Sequence, residues 1–294
     1  MLSASILAAA LAFGPAEARF AYDTAKDFVA KCTPRDAGTL RGRFACNYLL
    51  DAVSRLGADV RAERFEADTP KGRREFANLV AEFKTSEDGE WVVLVSHYDT
   101  KPGVKCPGAT DGASTSAILV ALAKALRGDC GLAGNVMLLW TDGEECMESY
   151  SAGDGFWGSR YAARRLRESG RKVKAVICLD MLGDRDLGIS LPANSSPALR
   201  RIALYAARKA GAADKVAEIR ELVRDDHVAF LEEGFKAAVL IDFAYGSAPG
   251  ANDYWHTERD VIDNVSEESL LVSGRIAAEM LGALLKPAAP ASAR

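Results

Sequence analysis

Histidine is scarce in this chain, with three among 294 residues, at positions 97, 227 and 256. Their placement is therefore informative. No segment reaches the ~20 consecutive apolar residues that a membrane-spanning helix needs, which excludes a membrane span. Long basic runs are also missing: 37 Lys+Arg stand against 41 Asp+Glu, a formal net charge of -4. That balance provides no stripe of cations along which a nucleic-acid backbone could run, so a nucleic-acid partner is not expected. There are 6 cysteines, but none has the C-x-x-C spacing of a structural zinc site. Cys32 with Cys46, and Cys106 with Cys130, are candidate pairs in an oxidising compartment. Internal repeats and Pro/Ser-rich linkers are lacking as well. With 49% hydrophobic and 27% charged residues, the composition is that of an ordinary folded domain.

The N-terminus reads as an export signal. The apolar stretch Leu2 to Phe13 is followed by the helix breaker Gly14-Pro15 and the small-x-small pattern Ala16-Glu17-Ala18. The expected division is a signal peptide over 1–18, one catalytic domain over 19–286 and an Ala/Pro-rich tail over 287–294, in a protein that is periplasmic or secreted. No Lys or Arg precedes the apolar stretch, so an ordinary apolar N-terminal helix is the competing reading.

Residues 22–57 read as two helices, the second with Leu40, Phe44, Tyr48, Leu49 and Val53 at helical spacing. Residues 59–67 and 75–83 alternate around Pro70-Lys71-Gly72 and predict a hairpin. Three continuous apolar runs, 91–96, 136–140 and 173–179, predict strands buried on both faces. Helices are expected over 112–127, 157–168, 197–210 and 266–285, with a further strand at 236–242. This alternation predicts an α/β fold: a mainly parallel, mixed central sheet with helices on both faces. In such sheets, ligands bind beyond the carboxyl ends of the strands.

Those ends carry the polar residues. The first run closes on Ser96-His97-Tyr98-Asp99. Strand alternation points His97 and Asp99 the same way, the spacing of an imidazole ligand steadied by a carboxylate. Asp111 follows in Gly108-Ala109-Thr110-Asp111-Gly112. The second run closes on Thr141-Asp142-Gly143-Glu144-Glu145, and two adjacent glutamates there repel unless a cation lies between them. The third closes on Leu179-Asp180. Asp225-Asp226-His227 and Tyr254-Trp255-His256-Thr257 come later. Taken singly, His97 is a hydrogen-bonded core histidine, Asp225 or Asp226 a helix cap next to His227, and Glu144-Glu145 a helix first turn. Their joint occurrence at strand ends instead describes a metal site of imidazole and carboxylate, which suits zinc.

The ordered motifs H-x-D, G-A-T-D, D-G-E-E, L-D, D-D-H and W-H-T resemble the clan MH zinc aminopeptidases, and more closely the glutaminyl-peptide cyclotransferases among them, from about Ser96 to Leu285. Ser96 to Lys101, the segment ending Asp154 to Arg160, and the D-D-H/W-H-T pair point to the cyclase branch. The resemblance implies zinc ligands Asp111, Glu145 and His256, Glu144 as proton shuttle, Asp180 and Asp225 as the network that steadies it, and Trp255 as a pocket wall. Tyr150 stands where cyclases carry a tryptophan. The aromatic expected before W-H-T is displaced, leaving Phe243 or Tyr245 as a substitute. In the peptidase branch His97 and Asp180 would hold a second zinc. The implied substrate is a peptide or protein N-terminus. Three activities stay open: one-zinc cyclisation of N-terminal glutamine, two-zinc removal of N-terminal residues, and binding without catalysis.

Overall fold

The computed structural model describes residues 11–127 and 132–285. Two helices lead, α1 (Pro15–Cys32) and α2 (Leu40–Arg55), followed by the hairpin β1 (Asp59–Thr69) and β2 (Gly72–Phe83). Next come β3 (Trp91–His97), α3 (Thr115–Leu126), β4 (Asn135–Thr141), α4 (Trp157–Glu168) and β5 (Val173–Asp180). The chain continues through β6 (Ile189–Leu191), α5 (Pro197–Lys209), β7 (Val216–Glu218), α6 (His227–Glu232), β8 (Ala237–Ile241) and α7 (Glu267–Leu284). The eight strands form one mixed sheet in the order β1-β2-β4-β3-β5-β8-β6-β7. Its centre, β4-β3-β5-β8, is parallel, and antiparallel pairs lie toward both edges.

The continuous apolar runs are explained by burial on both sides. Along β3, Val92 and Leu94 enter one core with residues of α1, α3, α5 and α7. Val93 and Val95 enter the other, beneath Ala162 and Ala163 of α4 and Phe230 of α6. The expected mixed α/β sheet is thus the observed one. The helix start expected at His227 is α6. Two short strands, β6 and β7, were not anticipated; elements of this length have too little periodicity to stand out.

The apolar face of α2 differs from the expected one. Leu40 is 78% and Phe44 51% exposed, whereas Ala45, Cys46, Leu49 and Val53 are buried. Leu49 and Val53 of the expected face thus lie in the core and Tyr48 packs against it, while in the first half of the helix Ala45 and Cys46 are buried in place of Leu40 and Phe44. Cys32 and Cys46 are both buried free thiols and do not pair. Cys106 is also free, and Cys130 lies outside the described residues.

Within the expected leader, residues 1–10 lie outside the described residues, as does the expected tail. Leu11, Phe13 and Ala18 are buried. The first turn of α1 is capped by the Glu17 carboxylate, which accepts the Gly14 N–H at 3.0 Å. A cut after Ala18 would remove this packed turn.

Candidate metal centre and active site

All the predicted strand-end residues gather over the carboxyl edge of the parallel strands. His97 ends β3, Glu144 and Glu145 follow β4, and Asp180 ends β5. Asp225 immediately precedes α6, and His256 lies on the loop before α7. Asp111 lies on an irregular turn before α3, so the helix expected from 112 begins at Thr115. Asp111 is extended there (φ -83°, ψ 101°) and Gly112 is left-handed (φ 85°). A β-carbon on Gly112 would sit 2.9 Å from His97 Cε1, so glycine is needed to bring the turn against the imidazole. His256 itself takes a left-handed backbone (φ 56°). For a histidine that conformation is sparsely populated, and such strain concentrates at functional sites.

Among the described residues, two groups of side chains could hold a metal ion: His97, Asp111 and Asp180; and Asp111, Glu145 and His256. In the first, His97 Nε2 lies 3.0 Å from Asp111 Oδ1 and 3.1 Å from Asp180 Oδ1. In the second, His256 Nε2 lies 2.9 Å from Glu145 Oε1 and 3.5 Å from Asp111 Oδ2. Asp111 is common to both. Glu144 belongs to neither.

The electrostatics fit a cation. Burial, then the charge of Glu145, pushes Glu144 well above the carboxylate range. Burial, then Asp111, raises Glu145. Burial, then the charges of Asp180 and Asp226, drives Asp225 well up, and it shares a hydrogen bond with Asp180. Asp111 is the exception: burial pushes it up, but hydrogen bonding and charge from His97 outweigh that and leave it at about 2. So many buried acids, opposed mainly by His97, His256 and Lys101, form a donor set that a divalent ion would neutralise.

Asp99 has a wider role than steadying His97. It lies 3.4 Å from His97 Nδ1, and its two oxygens accept the N–H groups of Glu144 and Glu145, both at 3.2 Å. It thereby fixes the backbone of the paired glutamates.

Two further positioning groups escaped the sequence. Arg35, fully buried, donates to the carbonyls of Tyr98, Pro107, Gly108 and Asp111. Asp260 accepts the N–H of Thr110 at 2.7 Å and of Asp111 at 3.1 Å. One thus holds the Asp111 turn by its carbonyls and the other by its amides. Asp260 lies four residues after His256, a spacing that could have drawn attention to it. Arg35 has no local signal, because its partners are more than sixty residues away in the chain.

A cavity of about 520 Å³ opens over the site. Its floor includes Asp111, Glu144, Glu145, Asp180 and Asp225, and its walls include Trp255, Phe243, Tyr150, Ile219 and Leu222. Phe243 and Trp255 meet edge to face at 5.5 Å, while Tyr245 is buried outside the cavity lining. Of the two candidates for the displaced aromatic, Phe243 lines the cavity and Tyr245 does not.

His227 stays outside both metal groups. Its ring is buried, neither nitrogen has a hydrogen-bond partner, and burial depresses its pKa to about 4. Unfolding restores a value near 6.5, so the unfolded chain binds a proton as pH falls below that and the native chain does not. Stability at neutral pH should therefore be lost between about pH 6.5 and 4. His227→Leu should remove about 2 kcal/mol of the stability difference between pH 7.5 and 5, read from urea unfolding at both pH values. An unchanged difference would contradict the assignment.

Sheet, covering helices and strand-end carboxylate–imidazole groups together define an α/β fold of the zinc exopeptidase and glutaminyl cyclase type. The chain belongs to peptidase family M28, whose family model matches residues 78–281. It is 27% identical to a glutaminyl-peptide cyclotransferase of Drosophila melanogaster, with 83% of this chain and 76% of that protein covered. The crystal structure of a glutaminyl cyclase from an Acidobacteriales bacterium superposes with a TM-score of 0.88 at 30% identity, covering 97% of this chain and 99% of that one. A Zn-dependent exopeptidase from Parabacteroides distasonis shares the fold, with a TM-score of 0.79 at 22% identity and 92% and 98% covered.

Proposed function

We propose that this chain is a zinc-dependent glutaminyl cyclase, closing the N-terminal glutamine of peptides to pyroglutamate with release of ammonia. The observation that carries catalysis is Glu144, a buried acid on the floor of an aromatic-walled cavity, next to one metal group but a member of neither. The similarity to cyclotransferases supports the choice of reaction.

Asp111, Glu145 and His256 would hold the zinc, which supplies Lewis-acid polarisation of the side-chain amide carbonyl. The remaining steps belong to the chain's own residues. Trp255 and Phe243 enclose the glutamine side chain and bring its amide carbon within reach of the α-amine, which lowers the entropic cost of ring closure. The amine nitrogen bonds to that carbon, and the bond to the amide nitrogen breaks. Glu144 takes the proton from the attacking amine and delivers it to the departing nitrogen, which leaves as ammonia. Asp99 holds the Glu144 backbone in place, and the charges of Asp225, itself hydrogen-bonded to Asp180, and of Asp226 raise the proton affinity of Glu144, which strengthens its carboxylate as the acceptor of the amine proton.

One observation favours a second reading. His97, Asp111 and Asp180 form another metal group, and with two zincs Glu144 would be the base of an aminopeptidase. The deciding experiment incubates zinc-replete protein separately with a Gln-initiated peptide and an aminoacyl anilide. Ammonia release with an otherwise intact peptide is the expected result. Anilide hydrolysis without ammonia would transfer the assignment to the peptidase.

We further propose export to the periplasm or exterior, with residues 1–18 as the leader. The support is sequence pattern; no described helix is long and apolar enough to cross a membrane. The mass of the protein recovered from the exported fraction gives the cleavage point.

A further inference from the structure

As a pocket wall, Tyr150 would need only its ring. Its hydroxyl lies 3.2 Å from Glu144 Oε2 and 3.1 Å from Glu145 Oε2. A phenol has one hydrogen to donate, so it binds one carboxylate at a time and ties the position of each to the other.

The chain fixes this hydroxyl from several directions. The Tyr150 ring stacks on Phe156 at 4.8 Å with planes 17° apart, and Lys101 Nζ lies 5.3 Å from the ring centre. Gly155 permits the approach: a β-carbon there would fall 2.8 Å from Tyr150 Cδ1. The loop is held by its own backbone groups. Asp154 accepts the N–H groups of Met147, Glu148 and Ser149 at 2.6, 2.8 and 2.8 Å. Arg160 donates to the carbonyls of Ser151 and Ala152. Arg224, a cavity-lining residue distant in the sequence, donates to the carbonyl of Tyr150 at 2.7 Å. A side chain that served only as an apolar wall would need none of this precision.

We infer that Tyr150 is a positioning residue for Glu144, its hydroxyl holding that carboxylate where it passes a proton between amine and leaving nitrogen. The inference rests on the reading of Glu144 as proton carrier, which cyclase and peptidase share. Misplacing a reacting group by about 1 Å can cost about a hundredfold in rate, whereas loss of a wall raises KM.

Tyr150→Phe keeps the ring and removes the hydroxyl. On a Gln-initiated peptide its kcat should fall about 10- to 100-fold while KM stays within about threefold, with zinc per chain unchanged. Arg224→Ala alters an exposed side chain and slackens the loop. Its kcat should fall about threefold to tenfold, and it should add nothing further in the Tyr150→Phe background, as expected for two residues acting through one group. A wild-type kcat in Tyr150→Phe, a change confined to KM, or losses that multiply in the double variant would each overturn the inference. Should Tyr150→Phe fail to fold or to hold zinc, Arg224→Ala decides alone, and a wild-type kcat there overturns it. If the wild-type chain hydrolyses an anilide but releases no ammonia, the cyclase assignment fails and the same kcat comparison is made on hydrolysis. A wild-type chain that turns over neither substrate overturns both.

Discussion

Glu144→Gln should lower kcat/KM for a Gln-initiated peptide by about a thousandfold or more while leaving the metal in place. The amide matches the carboxylate in shape and can still accept from the Tyr150 hydroxyl, which in the native chain lies 3.2 Å away. What it cannot do is take a proton. Glu144 is in neither metal group, so zinc per chain, measured by plasma mass spectrometry, should equal that of the wild type. Stability should hold or rise. Burial and the neighbouring Glu145 disfavour ionised Glu144, and a neutral amide is free of that cost. Activity above a tenth of wild type would show that another group carries the proton. Lost zinc would show that Glu144 is a ligand.

The parts of this site that were legible in the sequence are those fixed by local pattern. A strand buried on both faces reads as an unbroken apolar run, so the ends of β3, β4 and β5 were visible, and with them His97, Glu144, Glu145 and Asp180. Asp111 was visible for a different reason: glycines flank it, and Gly112 does adopt a conformation that other residues avoid. Groups acting across long sequence distances left no such trace. Arg35 is a charged residue with nothing nearby in the chain to show that it would be fully buried against four carbonyls. Tyr150 was legible as an aromatic, but its hydroxyl acquires meaning only when the loop folds back over the paired glutamates. The first half of the apolar face of α2 went wrong, though Leu49 and Val53 are buried, because hydropathy cannot tell which of several adjacent apolar stripes meets the core; there the close packing of Ala45 and Cys46 prevailed over Leu40 and Phe44.

The two remaining site histidines should separate when each is removed. His256→Ala should lose zinc and at least about a thousandfold in activity, because the group it leaves, Asp111 and Glu145, offers carboxylates alone, and three protein ligands are the usual minimum for a catalytic zinc. His97→Ala should behave differently if the chain works with one zinc. His97 Nε2 lies between Asp111 and Asp180, where in a one-zinc enzyme it serves as a hydrogen-bond donor and a compensating charge. Its loss would free Asp111 from the partner that holds it at about 2 and leave Asp180 repelled by its neighbours. Such an outer partner costs about 10- to 100-fold in activity or metal affinity, so at saturating zinc the ion should remain and kcat should fall by that smaller factor. If the native chain holds two zincs, His97→Ala should instead reduce the count from two to one, and hydrolysis of an aminoacyl anilide should fall with it. Zinc per chain for the wild type and both variants, measured at the same free zinc concentration, therefore tests the cyclase assignment through a quantity independent of turnover: one, zero and one for the cyclase, against two in the native chain and one after loss of His97 for the peptidase.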